Sequence, residues 1–494
     1  MPRTSMFAYP RQDLVAGIVV FLVAIPLCLG IAIACGVPPV SGLVAGAVGG
    51  IVASLISRSP LSVTGPAAGL TAIVLTQVEV LGSLELFLTA TLLAGGLQFG
   101  FGVLKAGRYA ALVPSAVIKG MLAAIGITII WKQIPVAFGV NGGLTDIPGN
   151  IHPGAVVLTV VSLVILYGWR HTPLARFGFL SPALFVVLIA GGLAAAFGSH
   201  PQLGLSGSHF VDVPLGGLSA LAAAVPRPDF AGITMPAVWV AAITVAVVAS
   251  IETLLSVQAV DRLDPLRRTS PPDRELLAQG ASNAVSGFLG GLPVTAVIVR
   301  SGANVAAGGR ERLSAFFHGI LLVGAVLFAA ALLNRIPLAA LAAVLIQVGF
   351  NLCKPALFTT QVRLGFTQLA PFALTITAVL AFDLLKGVII GIVAGMVFVL
   401  FQNARGALVR TVDPNGATVL RFRRDGTFLS KPTIVSELAA VPDGTRLIIE
   451  GTGEYVDQDV KELLSTFLED APRRDILVTV NGIDLSTAVA GGGH

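Results

Sequence analysis

The sequence predicts an all-α polytopic membrane protein followed by a small soluble α/β domain. Charged residues make up 12% of the 494 residues, about half the share found in an average soluble chain. Apolar runs of membrane-spanning length recur as far as residue 405, and short alternating strand patterns follow them. This composition argues against a soluble enzyme, a disordered chain and a nucleic-acid-binding protein. The net charge of +5 by itself identifies no partner.

Fourteen segments in residues 1–405 are candidates for crossing a bilayer. Thirteen Lys and Arg residues fall in connections on the N-terminal face, and only Lys132, Arg227, Arg335 and Lys386 fall on the other face. The positive-inside rule then predicts a multi-pass protein of the inner (plasma) membrane with both termini in the cytoplasm. Clear runs are 14–35, 87–104, 110–131, 154–169, 180–197, 236–260, 314–334, 337–353, 367–384 and 387–402; weaker, glycine-rich runs are 40–57, 61–78, 276–291 and 293–308.

Two of the weak segments look like broken helices. Residues 59–72 and 291–305 each begin as a proline-punctuated stretch, contain Val-Thr before a small residue and continue as a helix. Each is third in a set of seven spans, and because seven is odd the second set inserts upside down. The sequence therefore predicts two inverted repeats, at about 13–198 and 236–403, within a transport domain of residues 1–405.

Broken helices at membrane depth are tolerated where they line a cavity. Two half-helices from inverted repeats would point their N-termini, with free N–H groups and positive dipole ends, at the membrane midplane. That arrangement makes an anion site, to which Arg300 at the start of the second half-helix adds positive potential. The alternative is that both segments are ordinary glycine-rich packing helices.

Glu252 is the unusual residue among the strong spans. A carboxylate at that depth must be protonated, paired or turned to a wet cavity. One interpretation is a proton-coupling site, with Ser256 one turn away on the same face. The other is a static ion pair with Arg300 or with Lys119 in the fifth span. Gln133, near the end of that span, is expected to cap the helix rather than contact substrate.

The sequence contains no metal-spaced cluster, no catalytic Ser–His–Asp set and no phosphate-binding loop. We therefore expect no cofactor, no metal and no enzymatic activity, and transport driven by gradients rather than by ATP. The C-terminal domain, placed at 414–494, is expected to contain strands around 419–423, 447–450 and 476–480 and an amphipathic helix from Asp457 to Leu468. It is short, which predicts that it is truncated or lacks its last helix.

Several motifs in order resemble the SulP (sulfate permease) family of anion transporters, and the last domain resembles the STAS domain that follows the membrane domain in that family. The STAS likeness lies in Arg421-Phe422, Leu429 to Ser436 and Asp457 to Asp459. In the membrane domain the motifs are Asp13-Leu-Val-Ala-Gly-Ile, Pro114-Ser-Ala-Val-Ile-Lys-Gly120, Ile251-Glu-Thr-Leu-Leu-Ser256, Gly280-Ala-Ser-Asn283, Gly290-Gly-Leu-Pro293, and Arg300-Ser-Gly-Ala-Asn304 with Gly308-Gly309.

The resemblance implies a uracil-permease-like fold of core and gate bundles, alternating access and a homodimer. It implies that the anion binds between spans three and ten and that Glu252 is the coupling acid. The branch it suggests is the bacterial proton-coupled dicarboxylate (fumarate) transporters. Ile298 stands where sodium-coupled bicarbonate members have a hydroxyl residue, which favours protons over sodium. The residues that would frame the anion are Thr64, Gly65, Ala67, Ala296, Val297 and Arg300.

Three functions remain in competition at this point. The leading one is proton-coupled symport of a small anion, with a dicarboxylate preferred and bicarbonate or sulfate as alternatives. A passive anion channel could use the same dipole site without a closing gate. A nucleobase permease on the same architecture is disfavoured, because it usually needs an acid in span ten, where this chain offers Arg300.

Overall fold

The structure is a computed structural model that describes residues 5–108, 114–140, 142–173, 182–382, 384–405, 408–413, 416–423, 425–451 and 455–485. The chain divides into two compact units. The first comprises residues 1–363 and 372–390, and the second comprises residues 364–371 and 391–494.

The described residues of the first predicted repeat form eight α-helices and one very short strand, β1 (Thr64–Pro66). A π-helical turn, Gly49–Ala53, joins α2 to α3, and a 3-10 turn, Ala68–Leu70, leads from β1 into α4. The helices are α1 (Pro10–Ala34), α2 (Pro39–Val48), α3 (Ser54–Ile56), α4 (Thr71–Leu81), α5 (Leu84–Val103), α6 (Ser115–Ala137), α7 (Pro153–Gly168) and α8 (Pro182–Phe197).

A short helix, α9 (Gly217–Ala224), lies between the repeats, and the second repeat contains the second short strand, β2 (Val294–Ala296). As in the first repeat, the strand leads directly into a helix. The helices of the second repeat are α10 (Pro236–Leu263), α11 (Pro272–Phe288), α12 (Ile298–Ala306), α13 (Leu313–Phe328), α14 (Ala330–Leu333), α15 (Leu338–Leu352), α16 (Pro355–Arg363), α17 (Phe366–Ala381) and α18 (Leu384–Arg405).

The membrane character of the helices is confirmed, whereas the count of fourteen spans stays a prediction. Six helical stretches are long and apolar enough to cross a bilayer, and six more are apolar but shorter. Together with α11 and α12, these twelve stretches correspond in chain order to the fourteen predicted segments. The shorter helices include α4 and the last two helices of the membrane domain, α17 and α18. Length and composition alone therefore do not establish that each of them spans the bilayer.

The helices of the first unit pack in two groups. In one group α5 packs against α10 and α11, and α1 packs against α2 and α13. In the other, α15 packs against α6 and α7, and α7 against α8. Small residues allow the closest approach: a β carbon added at Gly95 of α5 would overlap the backbone of Ala284, and one at Gly280 of α11 would overlap the backbone of Phe99. Such backbone contact is typical of helices packed in lipid.

The second unit contains the predicted soluble α/β domain. Its sheet has the order β3-β4-β5-β6, with β3 and β4 antiparallel and the remaining pairs parallel. The first strand lies at residues 408–412, ahead of the predicted domain start at 414, and pairs with the second strand as a hairpin. The elements are β3 (Leu408–Val412), β4 (Thr418–Phe422), α19 (Lys431–Ala439), β5 (Arg446–Glu450), α20 (Gln458–Asp470) and β6 (Leu477–Asn481).

The three strands and the amphipathic helix expected in this domain are all present. Asp457 caps α20 through a hydrogen bond from the backbone N–H of Val460. Val460 and Leu464 on the inner face of α20 are buried against Leu420 and Ile449 of the sheet. The helix α19 was not predicted, because its short segment lacks a strong amphipathic period. Residues 486–494, part of the predicted domain, lie outside the described residues.

Candidate functional site

The two broken helices meet, as the inverted-repeat pattern predicts. β1 and β2 pair antiparallel, with Thr64 opposite Ala296, Gly65 opposite Thr295 and Pro66 opposite Val294. All six of these residues are buried. The pairing satisfies backbone groups that lipid could not. Each strand runs directly into a helix, so the two half-helices begin on either side of one small antiparallel ladder.

Buried amides of α5 and α11 hold this ladder in place. Asn283 Nδ2 donates to the carbonyl of Val294 at 3.0 Å and to Gln98 Oε1 at 2.6 Å, while Asn283 Oδ1 accepts from the N–H of Val294 at 2.6 Å. Gln279 Nε2 donates to Thr64 Oγ1 at 2.8 Å. Asn283, Gln98 and Gln279 are each fully buried. One polar side of α11 therefore fixes both strands at once.

The second half-helix also binds the strand of the first repeat. Ser301 Oγ accepts from the N–H of Val63 at 2.9 Å, and Asn304 Nδ2 donates to the carbonyl of Leu61 at 3.0 Å. Both side chains belong to α12 and both are buried. These bonds join residues more than 230 positions apart. They tie the second half-helix to the extended segment that leads into β1.

Arg300 lies beneath the ladder and is completely buried. Its Nη2 donates to the carbonyl of Pro66 and to Cys28 Sγ, both at 3.3 Å, and its Nε and Nη1 have no hydrogen-bond partner. A β carbon added at Gly65 would overlap the guanidinium, so any other residue at that position would displace the Arg300 side chain. Arg300 therefore contributes positive potential from within the packed domain, on the α1 side of the ladder.

Glu252 lies against the first half-helix instead. Its carboxylate packs on the backbone of Gly69, where an added β carbon would lie 2.6 Å from Oε2, and Oε2 has no hydrogen-bond partner. In the described part of the chain, no ion pair joins Glu252 to Arg300 or to Lys119. The static ion pair considered from the sequence is thus wrong. Thr253, the next residue, accepts a hydrogen bond from the N–H of Ala296 at 3.3 Å.

The two charged residues, both in the second predicted repeat, each contact the first one. Glu252 of α10 faces the half-helix of the first repeat, and Arg300 of the second half-helix faces Cys28 of α1. A carboxyl group and a guanidinium are thereby held against residues 65–69 of the first repeat, where the first half-helix begins. The positive end of a half-helix is equivalent to about half a unit charge.

The six residues expected to frame the anion are brought together by the pairing of β1 and β2. Ala67 follows β1 directly and is buried, whereas Val297 precedes α12 and is partly exposed. Ala68 and Glu252 are also partly exposed, so the accessible side of the site is the one formed by the two helix starts. The six residues are Thr64, Gly65, Ala67, Ala296, Val297 and Arg300.

The three supporting residues have different surroundings. Ser256 is buried one turn beyond Glu252, as expected. Lys119 is partly buried on α6, which packs against the 3-10 turn that starts the first half-helix. The expectation that Gln133 caps α6 is wrong: its side chain is buried, its Oε1 has no partner, and backbone groups end the helix at Phe138.

Sequence reasoning missed the scaffold of the site. The only feature that pointed to Gln98 and Gln279 was that each is an amide inside a membrane segment. Such residues are rare there and suggest a functional role. Gly69 stood in the broken segment but was not singled out as the contact of Glu252. No group of three His, Cys, Asp or Glu side chains in the described ranges could hold a metal ion.

An ionic cluster closes the end of the membrane domain where α1 begins. Arg268 bonds to Asp264 at 2.7 Å and to Glu311 at 2.8 Å. Asp13 accepts from the N–H groups of Arg310 and Glu311 at 2.7 and 3.0 Å. Burial acts to raise the pKa of Asp264, but hydrogen bonds and charge from Arg268 outweigh it and hold that pKa below its usual value. Arg268 and Arg310 therefore link the segment after α10, the segment after α12 and the first turn of α1 to one another.

Fold and site together define a class of protein: a helical membrane transporter in which two interrupted helices meet at one central site. Residues 11–377 match the sequence pattern of the Sulfate permease family. The chain belongs to that family and is a membrane anion transporter.

Individual proteins agree with this assignment. The chain is 29% identical over 430 residues to YvdB of Bacillus subtilis (strain 168), a match that covers 84% of this chain and 78% of that protein. It is 26% identical over 363 residues to the bicarbonate transporter BicA of Picosynechococcus sp. (strain ATCC 27264 / PCC 7002 / PR-6), covering 69% and 62% respectively. The structure of SLC26A9 has the same fold, with a TM-score of 0.79 at 15% identity over 98% of this chain and 86% of that one.

Proposed function

We propose that this chain is a secondary active transporter that moves a small anion together with a proton by alternating access. The observation that carries the proposal is that Glu252 packs on Gly69 and Arg300 on Gly65 and Pro66, beside the paired strands that lead into two half-helices. The half-helix ends supply N–H donors and positive potential for the anion. Glu252, bound to no cation, is free to carry the proton.

The binding residues in this proposal are Thr64, Gly65, Ala67, Ala296, Val297 and Arg300, with Ser256, Lys119 and Gln133 in supporting positions. The preferred substrate is a dicarboxylate such as fumarate. Two separate clusters of N–H donors, one at each half-helix start, suit an anion with two separated charges. Arg300 favours a dianion through its field rather than by contact, because Gly65 and Pro66 lie over it.

Bicarbonate or sulfate transport is the second candidate. The family description and the bicarbonate transporter among the relatives favour it. A passive channel is disfavoured, because a carboxyl group held at the mouth of a half-helix has no role in simple conduction.

We also propose a location in the inner membrane with both termini cytoplasmic, a C-terminal STAS domain from about residue 408, and a homodimer. Cross-linking in native membranes tests the homodimer.

Proteoliposome uptake tests the function. An inward proton gradient should drive accumulation of labelled fumarate, bicarbonate or sulfate above its equilibrium level. Glu252→Gln should abolish accumulation while leaving binding, measured by thermal shift with the same anions, within about threefold. Glu79→Gln is the matched control, because Glu79 is an exposed carboxylate on the same half-helix, α4. Uptake indifferent to the proton gradient would show that coupling is wrong, and unitary currents would establish a channel.

A further inference from the structure

A small cavity lies in the membrane domain, away from the ladder. It has a volume of about 160 Å³ and lies between α4, α6, α10 and the hairpin formed by α17 and α18. One side is polar and is lined by Thr76 and Gln77 of α4, Thr128 of α6 and Thr244 of α10. Four polar side chains from three helices around one small cavity are unusual in the apolar interior of a membrane domain.

The hydrogen-bonding state of these side chains suits a partly hydrated anion. Thr128 and Thr244 donate to the carbonyls of their own helices, to Ala124 at 3.0 Å and Val240 at 2.8 Å, so they offer lone pairs to the cavity. The side chains of Thr76 and Gln77 make no hydrogen bond to any described residue, so the hydroxyl and amide donors of these side chains are available. The cavity can therefore hold an anion by its donors and that anion's water by its acceptors.

The cavity lies on the same two helices as the central site. Thr76 follows Gly69 by seven residues and Thr244 precedes Glu252 by eight. At about 1.5 Å per residue these spacings are roughly 10 and 12 Å along the helix axes. The cavity is thus the next polar position beyond the ladder, toward the end of the domain where α4 ends and α10 begins.

The opposite side of the cavity is apolar. Val379 and Leu380 of α17 and Leu384 and Leu385 of α18 line it, and Val379 and Leu384 are buried. The hairpin is tightly packed, since a β carbon at Gly387 would overlap Val379. An apolar constriction blocks hydrated ions without a fixed plug.

We propose that this cavity is a second anion subsite, through which the transported oxyanion passes between the central site and that end of the domain. The hairpin of α17 and α18 is the barrier that closes it. The inference rests on the proposed anion transport and assigns Thr76 and Gln77 as the donors of the subsite. The ligand is a small oxyanion that retains part of its hydration shell.

The donors are tested by Thr76→Val and Gln77→Leu in proteoliposomes loaded separately with labelled fumarate, sulfate and bicarbonate. Each variant should lower uptake by about tenfold through the apparent KM, because a donor to a charged group is lost. Thr76→Ser keeps the hydroxyl and should restore uptake. Thr377→Val is the matched control, because Thr377 lies on α17, bonds only its own helix and does not line the cavity.

The barrier is tested by Leu384→Asn against Val388→Asn, two buried positions on α18 of which only Leu384 lines the cavity. Leu384→Asn should add an anion leak that persists without a proton gradient, and Val388→Asn should not. Unchanged uptake in Thr76→Val and Gln77→Leu, or equal leaks in the two asparagine variants, overturns the subsite alone. Wild-type vesicles that transport none of the three anions overturn the proposed function and the subsite with it.

Discussion

Gly69 is the position where one added methyl group tests the proposed coupling most directly. A β carbon there would lie 2.6 Å from Glu252 Oε2, whereas ordinary van der Waals contact begins at 3.4 Å. The carboxylate would have to retreat by about 1 Å, and a misplacement of that size in a reacting geometry costs up to about 100-fold in rate. We expect Gly69→Ala to lower proton-driven anion uptake by about 10- to 100-fold.

The fold should survive this substitution. Gly69 does not have a positive φ, and the group displaced is the flexible end of a side chain rather than backbone. Alanine also favours helix formation over glycine by about 1 kcal/mol. The thermal midpoint of the purified protein should therefore stay within about 4 °C of the wild type.

Uptake of labelled fumarate, sulfate and bicarbonate into proteoliposomes, with and without an inward proton gradient, is the assay. Gly302→Ala is the matched control: Gly302 belongs to the other half-helix, and a β carbon there meets nothing within 4 Å. It should transport like the wild type. If Gly69→Ala retains full proton-driven uptake, the contact between Glu252 and the first half-helix is not part of coupling.

Two further predictions concern stability. Asn283→Ala removes three buried hydrogen bonds to Gln98 and Val294, which should cost about 3 kcal/mol and lower the thermal midpoint; an unchanged midpoint would contradict the scaffold role. Asp264→Asn tests the ion pair with Arg268. Because the folded-state pKa of Asp264 is lowered, its contribution is complete above the ordinary pKa of about 3.9 and is lost as the pH falls through the folded-state value. Wild type should melt above the variant at pH 7, and the difference should shrink below about pH 4; a pH-independent difference would contradict this.

Local sequence patterns were informative about elements. Apolar runs located the helices within a few residues, because a segment surrounded by lipid and other helices needs apolar side chains on all sides. Proline and glycine located the two breaks, since neither residue supports a continuous helix at 59–72 or 291–305. Period-two alternation located the strands of the C-terminal domain, but the hairpin strand β3 directly after α18 was missed.

The surroundings of each polar residue were not predictable in the same way. One interpretation of Glu252 was a static pair with a cation, but its carboxylate packs on Gly69. Arg300 was expected at the anion and lies beneath Gly65, bonded to Pro66 and Cys28. Each of these contacts joins one repeat to the other, and no local spacing encodes a neighbour so distant along the chain.

By itself, the sequence determined that this is a membrane protein with two interrupted helices and a few ionisable residues inside its apolar segments. Those properties depend on the lipid that surrounds the chain. Lipid requires apolar side chains, and a helix that is broken in the bilayer must line a cavity where its backbone groups find partners. Only the tertiary structure decided that the breaks pair as an antiparallel ladder, that buried amides of α5 and α11 hold it, and that Glu252 packs on Gly69 while Arg300 packs on Gly65. The reason is that register and side-chain partners depend on packing between segments more than 200 residues apart.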